Sequence, residues 1–412
     1  MAAALPPTRK EKNVRNLHRT AALSAALLLG AAGLAACGSS NDDSDSSANG
    51  GGSSGGVSAA CKLTDPPTSQ AQAVKTTDLG KASGKVGVIL PDTTSSTRYT
   101  LYDKPLLQKA LTSAGLQADI QNAQGDKNKF ASIAQNMIGE GVKVLIIDSI
   151  DAASGAGVEK AADQAGVKVI DYDRVNLGGT APYYVSFDNE DVGRLQAQTL
   201  LDCLSAQGVK SPKIIMMDGG TDVDNNAVLF KKGAHEVLDK SGADIVDEQT
   251  VKGWTVSNAA PAFQQALTAA NNDVDGVLAA NDDIANAVIG VLKNQGLDGK
   301  VAVTGQDSAV EGLQNIVTGK QSMTIFKDVK LEANAAAQLA IALMAGKNPA
   351  DAGITLTKFK DPQAASHNIQ ALLLPSQVIT QANVSDVVKA GALKAADICK
   401  GVEADCTKLG IQ

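Results

Sequence analysis

From residue 85 onward, short apolar runs alternate with longer stretches whose apolar positions recur every three to four residues. The short β-branched runs predict buried strands, and the longer periodic stretches predict amphipathic helices. In the first half, strands are predicted at 85–90, 118–122, 142–147, 167–170 and 183–187, and helices at 101–114, 127–140 and 154–165. This alternation is typical of a parallel sheet covered by helices on both faces.

The same alternation begins again at residue 213, with strands predicted at 213–217, 244–250, 274–279 and 301–304 and helices at 225–241, 261–270, 284–295 and 311–318. Two rounds of one unit predict an α/β fold with two doubly wound parallel-sheet lobes. We expect an amino-terminal lobe of residues 85–187 and 328–350 and a carboxyl-terminal lobe of residues 188–327 and 351–412. The chain would cross between them near Asp188, near Lys327 and around 350–360, as a three-segment hinge.

Polar side chains follow many of the predicted strands. Asp and Asn often cap the next helix, and a cap explains Asp148, Asp188 and Asp218 at least as well as a ligand does. Capping alone does not explain the pairing of charges and amides in a second set, which is Asp173, Arg174, Asn281, Asp282 and Asp307. Ligands of open α/β sheets bind outside the carboxyl ends of strands, so we expect this second set to meet in a cleft between the lobes.

The amino-terminal residues predict export. Five basic residues and one acidic residue precede an uncharged Ala- and Leu-rich run at 21–34, which is typical of a secretory signal. The run ends in Leu34-Ala35-Ala36-Cys37, which resembles the lipobox of bacterial lipoproteins, although an ordinary cleavage site before a cysteine is the alternative. We expect a signal peptide at 1–36, lipid on Cys37, a flexible tether at 37–84 and a protein held on the outer face of the cytoplasmic membrane.

Charge and cysteine usage narrow the possible partners. Loss of residues 1–36 changes the formal net charge from −7 to −11, which argues against nucleic acid. Cys399 and Cys406 are close enough in sequence to form a disulfide in an oxidising compartment, and a pairing of Cys61 with Cys203 is left open. The chain has only three histidines and no C-x-x-C spacing, so we expect neither a metal site nor a cofactor.

The residue types at the strand ends suit a neutral polyol such as a sugar. Sugar hydroxyls both donate and accept, and each hydrogen bond to a charged group contributes about 1.5–3 kcal/mol. The single tryptophan, Trp254, follows Gly253 in a loop after a strand. We expect it to form a wall of the cleft against the flat face of a sugar ring, although half-buried packing tryptophans are common.

A set of motifs resembles the type I periplasmic sugar-binding proteins of ABC importers, especially those for D-xylose. The resemblance covers about residues 85–350. Its motifs are Tyr172-Asp173-Arg174, Ser186-Phe187-Asp188-Asn189-Glu190, Gly219-Gly220 with Val223-Asp224-Asn225-Asn226-Ala227, Gly253-Trp254, Asn281-Asp282, Gly305-Gln306-Asp307 and Met323-Thr324-Ile325-Phe326-Lys327.

The resemblance implies a set of ligand-binding residues: Arg98, Tyr99, Asp173, Arg174, Asn226, Trp254, Asn281, Asp307 and Lys327. It implies that Tyr99 and Trp254 flank the sugar ring and that Lys327 lies by the hinge. Tyr99 stands where tryptophan is usual in the family, and the loop at 93–97 carries less charge. The stacking face is therefore expected to be smaller on one side.

The implied function is a monomeric solute-binding lipoprotein. It would bind D-xylose or a similar aldopyranose by hinge closure and deliver it to an ABC permease with its ATPase subunits. The chain has no Walker A motif, so it would not hydrolyse ATP itself. One alternative is a receptor of the same fold for a signal such as autoinducer-2. The other is an exported enzyme using Asp173, Asp282 and Asp307, which the absence of G-x-S-x-G and G-x-G-x-x-G motifs disfavours.

Overall fold

A computed structural model describes residues 58–71 and 81–412. The expected signal peptide at 1–36, the lipidation site Cys37 and the first part of the expected tether lie outside the described residues. Within those residues, no helix combines the length and the apolar character needed to cross a membrane.

The strands are β1 (Lys85–Leu90), β2 (Gln117–Asn122), β3 (Val144–Ile147), β4 (Lys168–Tyr172), β5 (Tyr183–Phe187), β6 (Lys213–Asp218), β7 (Asp244–Thr250), β8 (Gly276–Ala279), β9 (Ala302–Val303), β10 (Thr324–Phe326), β11 (Thr357–Lys360), β12 (Asn368–Leu374) and β13 (Gln377–Ile379). The helices are α1 (Lys104–Ser113), α2 (Lys127–Gly139), α3 (Ala152–Gln164), α4 (Asn189–Ser205), α5 (Asn225–Leu238), α6 (Ala259–Ala269), α7 (Asp282–Asn294), α8 (Val310–Val317), α9 (Val329–Met344), α10 (Ser385–Lys389), α11 (Ala395–Cys399) and α12 (Glu403–Lys408). A π-helical turn, Tyr99–Asp103, leads into α1.

Two sheets form the two lobes, as the sequence predicts. The first lobe has a seven-stranded sheet in the order β11-β12-β5-β4-β3-β1-β2, in which β11 runs antiparallel to β12 and the other neighbours are parallel. The second lobe has a parallel sheet in the order β7-β6-β8-β9. Beside it lies the small antiparallel pair β10-β13. The predicted α/β fold is therefore confirmed.

The central strands of each sheet are buried on both faces, and the pleat explains why they are continuously apolar. In β6, Ile214 and Met216 pack against α4 and α5, whereas Ile215 and Met217 pack against α6 and α7 on the opposite face. Successive side chains of a strand point to opposite faces, so a strand covered on both sides must be apolar at every position. In β1, Val88 and Ile89 divide in the same way between the two helical layers of the first lobe.

The chain passes between the two lobes at three places. The first passage lies between β5 and α4, next to Asp188, and the second lies between β10 and α9, at Lys327. The third lies at residues 375–376, between β12 and β13, and not around 350–360 as expected. Residues 357–374 therefore belong to the first sheet and not to the second lobe, because β12 pairs in parallel with β5 and buries Leu372 and Leu374 in the first core.

Part of the expected tether is held against the second lobe. Residues 58–71, here called the strap, are joined to α4 by a Cys61–Cys203 disulfide. Farther along, the side chain of Ser69 and the backbone N–H of Gln70 both donate to Asp191 near the start of α4. The predicted Cys399–Cys406 disulfide is also present and joins α11 to α12.

Candidate functional site

A small pocket lies between the lobes, at the carboxyl ends of the strands. All nine binding residues expected from the sequence line it: Arg98, Tyr99, Asp173, Arg174, Asn226, Trp254, Asn281, Asp307 and Lys327. Five further residues complete the lining: Ser95, Ser96, Asp224, Phe230 and Gln306.

Arg98 is fixed by three carboxylates on the first-lobe side of the pocket. Its Nε and Nη2 donate to the two oxygens of Asp103 at 3.0 and 2.7 Å, and Nη2 also donates to Glu332 at 2.5 Å. Its Nη1 donates to Asp173 at 3.2 Å. Because Asp103 and Glu332 are fully buried, they hold the guanidinium in one orientation and leave Nη1 as the group that faces the pocket.

Asp173 is held in its charged form. Burial opposes ionisation, but the positive charges of Arg98, Lys327 and Arg174 outweigh burial and keep the pKa of Asp173 below its ordinary value. The backbone of Asp173 has a φ of 59°, in a region that few non-glycine residues adopt. An ionised carboxylate can only accept hydrogen bonds, so Asp173 suits the donating hydroxyl of a sugar.

Arg174 connects the two lobes. Its Nη2 donates to the hydroxyl of Tyr99 at 3.1 Å, and its Nε lies 3.3 Å from Oδ2 of Asp224 in the second lobe. The guanidinium carbons of Arg98 and Arg174 lie 5.7 and 5.8 Å from the centre of the Tyr99 ring. Tyr99 is therefore a buried ring with two cations close to it.

Asn226 and Trp254 form the wall on the second-lobe side. The side-chain amide of Asn226 donates to the backbone oxygen of Asp173 at 2.9 Å, and its Oδ1 accepts from Asn189 at 2.9 Å. Trp254 donates through Nε1 to Asp224 at 3.0 Å and packs against Gly219, where an added Cβ would lie 2.1 Å from the indole. The glycine is thus required for the position of the indole.

Asn281 and Asp282 have different roles. Asn281 lines the pocket and also caps α7, since its Oδ1 accepts from the N–H of Ile284 at 2.9 Å. Asp282 does not line the pocket. It is buried below it, where it accepts hydrogen bonds from Gln321, Thr324 and the N–H of Ala309. Burial raises the pKa of Asp282 to about 8, and this residue supports the loop that carries Asp307.

Asp307 and Lys327 close one side of the pocket. The ammonium of Lys327 lies 3.3 Å from Oδ1 of Asp307 and 5.7 Å from the ring centres of both Phe187 and Phe230. Within the described residues, the side chain of Asp307 accepts no hydrogen bond, and its φ is 89°. Strained backbone conformations of this kind are found preferentially at functional sites.

The side chains that sequence reasoning missed carry weaker signals. Phe230 lies on α5, where an apolar residue is indistinguishable from a core position. Asp103 and Glu332 are distant from each other in sequence, and only the packing of α9 against the π-helical turn brings both to Arg98. No cluster of His, Cys, Asp or Glu within 58–71 and 81–412 has the arrangement of a metal site.

A periplasmic binding protein domain model matches residues 86–348. The chain is 40% identical over 251 residues to the D-xylose-binding periplasmic protein of Escherichia coli, a match that covers 60% of this chain and 74% of the relative. It is 35% identical over 291 residues to the D-xylose-binding periplasmic protein of Haemophilus influenzae, covering 69% and 83%. A multiple sugar-binding periplasmic receptor of Rhizobium radiobacter is 34% identical over 334 residues, covering 77% and 92%.

Among solved structures, a carbohydrate transporter solute binding protein from Chloroflexus aurantiacus, in complex with D-glucose, is similar with a TM-score of 0.69 and 29% identity. The match covers 76% of this chain and 98% of that protein. A solute binding protein of an ABC transporter from Clostridium phytofermentans, with bound β-D-glucose, gives a TM-score of 0.68 and 27% identity over 76% and 99% of the two chains.

Proposed function

The chain belongs to the periplasmic binding protein family, and from that premise we propose that it captures D-xylose or a similar aldopyranose in the pocket between its lobes for an ABC importer. It is a type I sugar-binding protein, most similar to D-xylose binders, and not an enzyme. The relatives are named as proteins that bind D-xylose or several sugars, and two similar solved structures contain bound D-glucose.

One observation carries the proposal: both lobes contribute charged and amide side chains to a single small pocket. Arg98 and Asp173 come from the first lobe, Asn281 and Asp307 come from the second, and Lys327 lies at the passage between them. An aldopyranose has hydroxyls around its whole rim, so each side would meet a donor or an acceptor. A few such bonds, at about 1.5–3 kcal/mol each, are sufficient for micromolar affinity.

The two buried rings give the pocket its flat walls. Tyr99 on the first lobe and Trp254 on the second would lie against the two faces of the pyranose, with Phe230 beside Trp254 at a centroid distance of 6.4 Å. The C–H-rich faces of a sugar ring are apolar, and burying them against aromatic rings is favourable.

Binding would act through closure of the hinge. Only a closed arrangement lets both lobes contact one ligand, so a sugar shifts the population toward that arrangement. The three passages between the lobes, at residues 187–189, 327 and 375–376, are short and close together in the fold, which suits a hinge motion.

The closed protein would then present its ligand to a membrane permease with ATPase subunits, while lipid on Cys37 keeps it at the outer face of the cytoplasmic membrane. The sequence around Cys37 supports this anchoring, as does the presence of two disulfides, which are typical of proteins outside the cytoplasm. We propose that the protein acts as a monomer at this stage.

Isothermal titration of residues 38–412 with D-xylose, D-glucose, L-arabinose and D-ribose tests the proposed ligand class. We expect at least one dissociation constant near or below about 1 μM. Absence of binding with all four sugars would contradict the proposal and would favour a signal receptor of the same fold, which titration with an autoinducer-2-like furanosyl ligand would then address.

A further inference from the structure

A second cavity, of about 280 Å³, opens beside the sugar pocket. We call it the lateral groove. One wall belongs to the first lobe and the other to the carboxyl-terminal segment of the second, and its apolar lining includes Leu101, Tyr102, Leu106, Phe326, Val387 and Leu393. A more open depression continues from it along Ala392 and Ala395.

The lateral groove adjoins the sugar pocket directly. Asp307 and Lys327 line both cavities, so this ion pair is the partition between them. The side chain of Asp307 is 14% exposed, whereas that of Lys327 is 5% exposed. The sugar pocket is therefore enclosed by deeply buried residues elsewhere and by a thin polar partition on this side.

Two features of the groove indicate a ligand. Ser308, a residue only 3% exposed, lines the groove, and its buried hydroxyl has no hydrogen-bond partner within the described residues. A buried hydroxyl without a partner costs free energy, and such groups are uncommon unless a ligand or water completes them. On the opposite wall, Leu101 is 58% exposed, so its apolar side chain is available to a ligand in the groove.

We propose that the lateral groove binds the aglycone of a glycoside whose sugar ring occupies the adjoining pocket. The ligand class would then include O-glycosides with a small apolar or aromatic substituent, in addition to free monosaccharides. This inference rests on the proposed sugar-binding function.

The chemistry of the groove favours an apolar aglycone over a second sugar. A second pyranose would need hydrogen-bond partners around its rim, whereas most of the lining is aliphatic or aromatic. The charged residues Asp307, Lys327, Asp328 and Lys330 lie together at the hinge end of the groove. A phenyl group fits this composition, because Tyr102 and Phe326 provide aromatic surface.

Isothermal titration compares the free sugar that binds best among the four with the methyl and phenyl glycosides of that sugar, in both anomers. The methyl glycoside controls for loss of the anomeric hydroxyl, so the phenyl-to-methyl ratio reports the groove. For one anomer we expect the phenyl glycoside to bind at least about tenfold tighter than the methyl glycoside, the effect of burying one aromatic ring.

A variant that fills the groove separates this site from non-specific binding. Ala392 is partly exposed and lines the groove, so A392W should reduce the phenyl-to-methyl advantage to about twofold or less. The matched control is V228W, on the exposed surface of α5 at a residue that lines neither cavity, which should retain the advantage.

The outcomes distinguish the two proposals. Absence of binding by every free sugar would overturn the sugar-binding function and this inference with it. The aglycone site alone would be overturned if a free sugar binds and its phenyl and methyl glycosides bind with equal affinity. It would also be overturned if all four glycosides bind more than 100-fold more weakly than the free sugar. An unchanged phenyl advantage in A392W would place the phenyl group outside the groove and would also overturn it.

Discussion

At the scale of single residues, the pocket contains carboxylates with protein partners and one that is largely free to accept from a ligand. Asp103, which lies behind the pocket lining, is committed to Arg98, and Asp224 in the lining is committed to Trp254 and Arg174. Asp307 has only the ammonium of Lys327, at 3.3 Å, among the described residues. A carboxylate with unused acceptor capacity in a buried pocket contributes most when a ligand hydroxyl completes it.

The substitution D307A should therefore weaken sugar binding by about 100-fold or more, because it removes roughly two hydrogen bonds between the sugar and a charged group. The thermal midpoint of the ligand-free protein should change little, because Oδ1 of the Asp307 side chain accepts no hydrogen bond within the described residues. Lys327 also keeps Asp173 as a second charged neighbour. Titration calorimetry and thermal unfolding measure the two effects.

The matched control for that substitution is D163A, which removes an exposed carboxylate on α3 and should affect neither quantity. A collapse of folding in D307A, with D163A unaffected, would instead mark Asp307 as a structural residue.

Glu332 gives the fold a pH dependence. Burial raises the pKa of Glu332 from 4.5 to about 8. The negative charges of Asp173 and Asp103 add to this increase, and the positive charge of Arg98 opposes it. The folded state thus binds a proton that the unfolded state releases at pH 4–5, so this contribution to stability is complete below that pH and is lost as the pH rises through about 8. Asp282, with its pKa raised to about 8, acts in the same direction.

We therefore expect the thermal midpoint to fall between pH 6 and pH 9, and E332Q, which mimics the protonated acid, to reduce that fall. E140Q, at an exposed glutamate beside the end of α2, is the control and should keep the wild-type slope. A slope in E332Q equal to that of the wild type would show that Glu332 is ionised in the folded protein at neutral pH.

At the scale of elements, the strap and the carboxyl-terminal segment are additions held by disulfides of very different span. Cys61–Cys203 joins residues 142 apart in sequence, and Cys399–Cys406 joins residues 7 apart. A long closed loop restricts the unfolded chain more than a short one does, so the first disulfide should stabilise the fold more.

Replacing both cysteines of the strap, in C61S/C203S, should lower the free energy of unfolding by up to about 5 kcal/mol, against about 2 kcal/mol for C399S/C406S. Sugar affinity should be retained in both, since none of the four cysteines lines the pocket. Chemical denaturation of the two double variants tests this order, and a larger loss in C399S/C406S would contradict it.

At the scale of the whole molecule, contacts across the cleft already join the two lobes. Asn226 donates to the backbone of Asp173, and Arg174 pairs with Asp224. These contacts are few and polar, so they are compatible with an equilibrium between open and closed arrangements of the lobes. A sugar that binds the closed arrangement more tightly would shift this equilibrium toward it.

A saturating sugar should reduce the radius of gyration measured by small-angle X-ray scattering. At 100 times the dissociation constant it should also raise the free energy of unfolding by about 2.7 kcal/mol. D307A at the same sugar concentration should show neither change. Sugar binding by the wild type without any compaction would contradict hinge closure as the mechanism.

Much of the molecule follows from local sequence patterns. Strand β5 and strand β7 have the bounds that their apolar and β-branched composition predicts, and the alternation of strands and helices determines the α/β class. The nine expected binding residues lie around one pocket because they follow strands whose carboxyl ends share an edge, and their motifs are read from the chain directly. Their contacts with a sugar remain a proposal.

Other features depend on contacts between residues that are distant in sequence. The segment 357–374 returns to the first sheet because β12 finds an open edge at β5, and no local pattern specifies which edge is open. Asp282 looks like a pocket residue in sequence, yet Gln321 and Thr324 bind it below the pocket. The sequence by itself determined the repeated α/β units and the polar strand ends, because periodicity and side-chain chemistry are local. The tertiary structure alone decided strand order, the third passage between the lobes and the lateral groove, because each is formed by packing of segments that the sequence does not place together.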